Sequence, residues 1–342
     1  MTPFVGARDM ARWVAERGAA AIVAGLAARI EADLRRWSSF DKRERVAAHS
    51  PLGVIELMPI SDAETYAVKY VNGHPGNPAV GLQTVAAFGV LADVRTGYPL
   101  LVAEMTVLTA LRTAATSALA ARYLARPESS SMALVGTGSQ SEFQAVAFRG
   151  LVGLNRISLW DIDAGAMAKA ANNLAPLGFE VRIATSAADA AHGADVITTC
   201  TADKVHAVVV PDAAVAPGTH LNAIGGDCPG KTELDPGTVA RSSVFVEYAP
   251  QARVEGEIQL QPPTFPVTEL WEVVTGRAPG RRSPQEVTVF DAVGFAVEDF
   301  SALCFVRDEL AGSGLGRDID LVVEPDDPKD LFGHIASLAP VG

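Results

Sequence analysis

Three cations stand where the surrounding sequence is apolar. Arg45 opens the strand-like run Arg45-Val-Ala-Ala48, Lys69 interrupts Tyr66-Ala-Val-Lys-Tyr-Val71, and Arg112 sits in Thr109-Ala-Leu-Arg-Thr-Ala-Ala-Thr116. A buried cation is costly unless it is paired. Taken singly, each reads as a structural ion pair; taken together, they read as a site for a carboxylate, which an arginine fork suits. Two acids raise the same question. Glu56 lies between Val54, Ile55, Leu57 and Met58, and Asp227 follows Asn222-Ala-Ile224-Gly-Gly226 at the carboxyl end of a predicted parallel strand. Ligands bind at that end of open α/β sheets, and the two glycines let backbone approach a flat ring. The competing reading makes Asp227 a cap for a helix after Pro229. Lys231 either reaches a ligand or is solvated. Cys228 reads as a buried thiol, and the six histidines and three cysteines show no metal-ligand spacing.

Those side chains need a frame, and Met132–Ser141 supplies its centre. Met132 to Val135 reads as a buried strand, Gly136-Thr137-Gly138 as a tight turn, and Ser141 to Arg149 as a helix. This is the phosphate cradle of a dinucleotide fold: Gly136 turns the chain, Gly138 admits pyrophosphate, and the helix start offers free N–H groups. Ser141 replaces the third glycine of the usual fingerprint. After the next strand, Arg156 to Trp160, comes Asp161, an acid placed to bind a ribose 2′-hydroxyl and repel a 2′-phosphate, so the cofactor read here is NAD. The alternative for Asp161 is a plain turn residue.

Around this cradle the pattern alternates strand and helix. Strands are predicted at 132–135, 157–161, 181–184, 195–199, 220–224, 243–247 and 287–290, with helices at 164–177 and 187–193, giving a doubly wound parallel sheet. Before it, residues 8–37 read as one helix. Runs at 45–48, 53–58, 66–71, 86–92 and 98–104 read as a largely antiparallel sheet, and 106–125 as a buried helix. The fold class is thus α/β: a Rossmann-type doubly wound sheet at 126–311 beside an α+β domain at 1–125 plus 312–342. Helix 296–311 is expected to return to that first domain.

Composition narrows the partners. Net charge is −12, which disfavours nucleic acid and anionic membrane; apolar residues are 49% and charged residues 20% of the chain. No apolar run is long enough to span a bilayer and the start is no signal peptide, so the expected location is cytoplasmic and the expected partner a small molecule.

Four stretches carry a likeness: Lys69-Tyr-Val-Asn-Gly-His-Pro75, Leu111-Arg-Thr-Ala-Ala-Thr116, Gly136-Thr-Gly-Ser-Gln-Ser-Glu-Phe-Gln144 and Gly225-Gly-Asp-Cys-Pro-Gly-Lys-Thr-Glu-Leu234. From about Arg43 to Phe332 the chain resembles the ornithine cyclodeaminase/mu-crystallin family, and the run around Asp227 is specific to its cyclodeaminase branch. The resemblance implies a homodimer joined through the antiparallel sheets, with NAD in the second domain. It places the substrate's carboxylate on Arg45, Lys69 and Arg112. The catalytic acid falls on Asp227, which also touches substrate, with Glu56 near the amino groups. Cofactor contacts fall on Thr84, Arg112, Thr113, Gly138, Ser139, Gln140, Asp161, Thr201, Ile224 and Lys231. Ala292 departs from the family, which carries serine there. The implied reaction is L-ornithine to L-proline and ammonia. Lysine cyclodeamination, reduction of a cyclic imine such as pyrroline-2-carboxylate, and non-catalytic binding are its rivals; Asp227 and Glu56 argue against the binder, and Asp161 against NADPH.

Overall fold

The computed structural model describes residues 1–202 and 205–338. Its first layer is an eight-stranded, mostly antiparallel sheet built from β1 (Thr2–Val5), β2 (Asp41–Lys42), β3 (Val46–Ser50), β4 (Gly53–Ser61), β5 (Thr65–Gly73), β6 (Ala87–Asp93) and β7 (Pro99–Glu104), closed by a late strand. Side chains alternate across a strand, and β4 and β5 use that period. Val54, Glu56, Met58 and Ile60 face inward with Ala67, Lys69 and Val71, while Ile55, Leu57 and Tyr66 face out. Apolar alternation therefore carries Glu56 and Lys69 to the inner face along with their neighbours.

Beside that sheet come α1 (Ala7–Arg17), α2 (Ala19–Arg35) and α3 (Thr106–Leu124); α1 and α2 pack on α3, and α3 touches β6. The single helix expected over 8–37 is two helices. Gly18, at φ +82°, breaks it, a conformation glycine adopts without a Cβ penalty. Helix α3 is buried nearly all round, as its sequence predicts, because it lies between the two sheets.

The second layer contains β8 (Ser131–Val135), α4 (Ser141–Val152), β9 (Arg156–Trp160), α5 (Ala164–Leu174), β10 (Glu180–Ile183), α6 (Ala187–Ala191), β11 (Val196–Thr199), β12 (His206–Val210), β13 (His220–Ala223), β14 (Thr232–Leu234), α7 (Pro236–Arg241), β15 (Ser243–Val246), α8 (Ala249–Glu255), β16 (Thr268–Glu269), α9 (Leu270–Val274) and β17 (Thr288–Asp291). Eight strands form one parallel sheet in the order β10-β9-β8-β11-β13-β17-β15-β16, the doubly wound α/β arrangement. β12 and β14 form a separate parallel pair that periodicity did not suggest, and β1 was also missed.

The chain then returns. α10 (Ala296–Leu310) packs on β4, β5, β6 and α2, and β18 (Arg317–Ile319) pairs antiparallel with β1. Helix α10 therefore sits with the first layer, as its sequence suggested, and not with the 126–311 range that counted it with the second.

Candidate active site

Between the layers lies a cleft of about 220 Å³. The carboxyl ends of the parallel strands form one wall; β4, β5 and α3 form the other. Arg45, Glu56, Lys69, Thr84, Arg112, Thr113, Gly138, Ser139, Gln140, Thr201, Ile224, Asp227 and Lys231 all line it. Asp161 does not.

The three cations are buried, and each is paired with an acid. Arg45 Nη1 donates to Glu56 Oε2 at 2.9 Å, its Nη2 donates to the carbonyls of Val293 (2.6 Å) and Gly294 (2.7 Å), and its Nε lies 3.0 Å from Glu255 Oε2. Lys69 Nζ donates to Asp299 at 2.8 Å. Arg112 Nη1 donates to Glu298 at 2.5 Å, and its Nε lies 3.0 Å from Asp299. An incoming carboxylate thus meets the remaining N–H groups of three cations instead of an empty guanidinium fork. Burial, reinforced by the charge of Arg112, pushes Lys69 down to about 8 despite Asp299. Burial likewise pushes Glu255 up to about 7, against the pull of Arg45.

Glu255, Glu298 and Asp299 were missed as partners. The signal was present for two of them: Glu298-Asp299 interrupts the apolar run Phe295-Ala-Val…Phe-Ser-Ala-Leu of α10. Glu247 completes the group, its two carboxylate oxygens accepting the N–H groups of Val293 and Gly294 at 3.1 Å each.

On the opposite wall, Asp227 is half-exposed and its Oδ1 lies 3.3 Å from Lys231 Nζ, which also donates to the carbonyl of Thr201 at 3.0 Å. No helix follows Pro229; the chain makes a turn, Lys231 N–H to Cys228 C=O, and enters β14. The helix-cap reading of Asp227 is therefore corrected. Lys231 is buried beside Asp227 and not solvated, and Cys228 is a buried thiol in the lining. Gly225 and Gly226 have a different reason from the one expected. A Cβ on Gly225 would overlap the Glu233 carboxyl group, and one on Gly226 would lie 2.6 Å from Glu257 Oε1. Their missing side chains make room for acids behind the loop.

The glycine cradle has the geometry of a pyrophosphate site. Gly136, at φ +98°, passes so close to the Cys200–Thr201 backbone that a Cβ would meet it at 2.7 Å. Gly138 faces open space, with nothing within 4 Å of a Cβ built there. No side chain caps the N-terminus of α4, and the buried Gln140 Oε1 has no hydrogen-bond partner. The uncapped N–H groups of the helix start and this space fit an anionic dinucleotide, and Gln140 Oε1 is an acceptor open to a ligand donor. At the end of β9, Asp161 accepts hydrogen bonds from the N–H (2.6 Å) and hydroxyl (3.0 Å) of Thr137, so it also fastens the cradle. Ala292 lines the cleft. Among the described residues, no group of His, Cys, Asp or Glu could hold a metal, and no helix is long and apolar enough to cross a membrane.

Comparison with known proteins agrees with this geometry. The family model of the ornithine cyclodeaminase/mu-crystallin family matches residues 8–314. An ornithine cyclodeaminase of Agrobacterium fabrum is 55% identical over 98% of this chain and 95% of its own. The structure of a lysine cyclodeaminase, which concerns recognition of L-lysine, L-ornithine and L-2,4-diaminobutyric acid, superposes with a TM-score of 0.91 at 33% identity, covering 97% of this chain and 99% of that one. An archaeal alanine dehydrogenase dimer with bound NAD superposes with a TM-score of 0.86 at 29% identity, covering 94% and 99%. A parallel sheet with a dinucleotide cradle, a cleft of paired charges and a family match over most of its length agree: this chain belongs to the ornithine cyclodeaminase/mu-crystallin family.

Proposed function

We propose that this protein is an NAD-dependent enzyme that converts L-ornithine to L-proline and ammonia. The observation that carries this reading is a single cleft holding three carboxylate-binding cations, two acids able to meet amines, and a dinucleotide cradle. Identity of 55% to an ornithine cyclodeaminase, against 33% to the lysine enzyme, favours the shorter substrate.

NAD, which Gly138, Ser139 and Gln140 would hold, would supply reversible hydride chemistry at the substrate's Cα, so no net oxidation would result. Lys69, Arg112 and the free N–H groups of Arg45 hold the carboxylate and so fix Cα at the mouth of the cradle. Holding both reacting groups of one molecule replaces a bimolecular encounter by an intramolecular one. Asp227 takes the proton from the amine that must be neutral before it can attack Cα, and Lys231 keeps that carboxylate in place. Glu56 holds the distal ammonium until that step. Thr84, Thr113, Gly138, Ser139, Gln140, Thr201, Ile224 and Lys231 form the cofactor wall, with Asp161 at the ribose.

Residues 1–125 with the chain after 295 act as the substrate and dimerisation domain, and residues 126–295 as the cofactor domain. A second copy of the chain fits the outer face of β3–β6, where Val46, Ile55, Leu57 and Phe88 are exposed and Tyr70 stacks on Phe88 at 5.0 Å.

The test is incubation with L-ornithine or L-lysine and substoichiometric NAD+, measuring ammonia and the cyclic amino acid. Proline and ammonia in equal amounts, well beyond the NAD+ added, are expected. Ornithine-dependent accumulation of NADH without proline would mean a dehydrogenase instead. A pocket built for ornithine should disfavour lysine by about tenfold or more, the value of one methylene.

Cofactor choice gives a second expected result. NAD+ should bind more tightly than NADP+, because a 2′-phosphate would meet the Asp161 carboxylate. Asp161→Asn keeps an oxygen for the Thr137 N–H and removes the charge, so it should narrow the preference by about tenfold, or ~1.4 kcal/mol. Calorimetric titration with both nucleotides measures this; tighter NADP+ binding by the unaltered protein would refute it.

A further inference from the structure

Behind the wall that carries Asp227, three buried acids stand in a column that the proposed chemistry does not use. Asp291, at the end of β17, accepts the N–H groups of Glu257 (2.9 Å) and Ile258 (3.2 Å). Glu257 accepts those of Glu233 (2.8 Å) and Leu234 (3.0 Å). Glu233 accepts the N–H of Thr201 at 2.9 Å and its hydroxyl. Each carboxyl group also rests against a glycine: Asp291 on Gly256, Glu257 on Gly226, Glu233 on Gly225. All three acids are 1% exposed or less. Asp291 and Glu257 each catch two adjacent N–H groups with two oxygens, which an amide side chain, with one acceptor oxygen, cannot do.

The column ends at the cleft. Thr201 is held by Glu233 through its N–H and hydroxyl and by Lys231 through its carbonyl, and Lys231 reaches Asp227. Gly225, which lies against Glu233, is two residues from Asp227. Two routes therefore run from one carboxyl group to the same catalytic side chain.

We propose that Glu233 is a positioning residue for Asp227, setting the height of the 225–227 loop by direct contact with Gly225 and the lateral position of Asp227 through Thr201 and Lys231. This rests on Asp227 being the acid–base residue of the reaction above. Three acids can stack here because burial pushes Glu257 up to about 8 and Asp291 up to about 7, with Glu233 also raised, so the column need not carry three full charges. The glycine at 225 follows from the same contact. Its φ lies outside the left-handed region, so an alanine is excluded there by Glu233 and not by backbone strain.

That contact yields a reciprocal test. Gly225→Ala drives a methyl group into the Glu233 carboxyl group and lifts the loop; kcat should fall by about a hundredfold, the usual cost of a misplacement near 1 Å. Glu233→Ala loosens Thr201 and should also cost kcat. Combined, the new methyl group occupies the space the carboxyl group leaves, and kcat should recover by about tenfold over Gly225→Ala alone. The ornithine KM, set by the cations on the other wall, should change by less than about threefold in all three proteins. Glu233→Gln, which keeps a carbonyl for Thr201, should lose far less than Glu233→Ala. Calorimetric NAD+ affinity and melting temperature are measured alongside, so that a folded protein that still holds the dinucleotide is compared in each case. A double variant no faster than Gly225→Ala, or a Glu233→Ala protein with normal kcat, overturns the proposal. Should either single variant fail to fold, the Gln variant decides: a small loss of kcat with NAD+ affinity kept supports the proposal, and a normal kcat, or a loss of NAD+ affinity and kcat together, overturns it. An unaltered protein that makes no ammonia from ornithine would instead refute the function, whatever the variants do.

Discussion

Asp227→Asn should bind NAD+ about as tightly as the unaltered protein while ammonia release falls by ~10²–10⁴-fold, the range for a lost general base. The substitution keeps shape and removes the ability to accept an amine proton. Little stability should be lost, because the pair it makes with Lys231 is half-exposed on the Asp227 side, and such pairs contribute little. With no helix after Pro229 to cap, a capping role cannot stand in for the chemical one. Single-turnover measurement of ammonia with a folded, NAD+-binding Asp227→Asn protein settles the matter. Near-normal release would move the proton shuttle to Glu56.

Arg112→Ala should be the most damaging single change on the opposite wall, for two separable reasons. Removing the guanidinium takes a charged hydrogen-bond donor from the substrate carboxylate, worth ~1.5–3 kcal/mol, or roughly tenfold to a hundredfold or more in KM. It also leaves Glu298 beside Glu247 without a cation and weakens the hold on Asp299, and breaking a buried pair in this way costs about 3–5 kcal/mol. The protein should therefore unfold at lower denaturant as well as use ornithine poorly. Arg112→Lys separates the two, since it restores a charge without the planar fork and should recover stability more than KM. A variant Arg112→Ala with unchanged unfolding and unchanged KM would show that the cation faces neither acid nor substrate.

What could be read from the sequence divides along physical lines. Elements with a strong period were legible: the alternation of β4 and β5, the apolar surface of α3, and the parallel strands of the second sheet. Glu56 and Lys69 were legible for the same reason, as polar residues at inward positions of that period. Contacts made by the folded backbone were not. Nothing in Gly225-Gly226 says that its absent side chains make room for Glu233 and Glu257, and nothing in Arg45 says that its Nη2 is spent on the carbonyls of Val293 and Gly294 nearly 250 positions later. The break at Gly18 was overlooked because helical period continues across it. β12 and β14 were overlooked because a two-stranded pair shows too little pattern to stand out from a loop.

Because every cation of the cleft already carries an acid, substrate entry is an exchange and not a filling. On the proposed function, a substrate carboxylate that shares Arg45 with Glu56 weakens the hold on Glu56 unless something else takes Glu56 in return. A diamino acid brings that counter-charge in its distal ammonium, so Glu56 trades one cation for another and is not left unpaired. An amino acid with an alkyl side chain brings none and would strand Glu56, whose other oxygen is already buried without a partner. A stranded carboxylate costs several kcal/mol, more than the methylene that separates ornithine from lysine. On the proposed function, selection of two amines over one then follows from the resting charges of the site, and selection of chain length has only the walls to rely on.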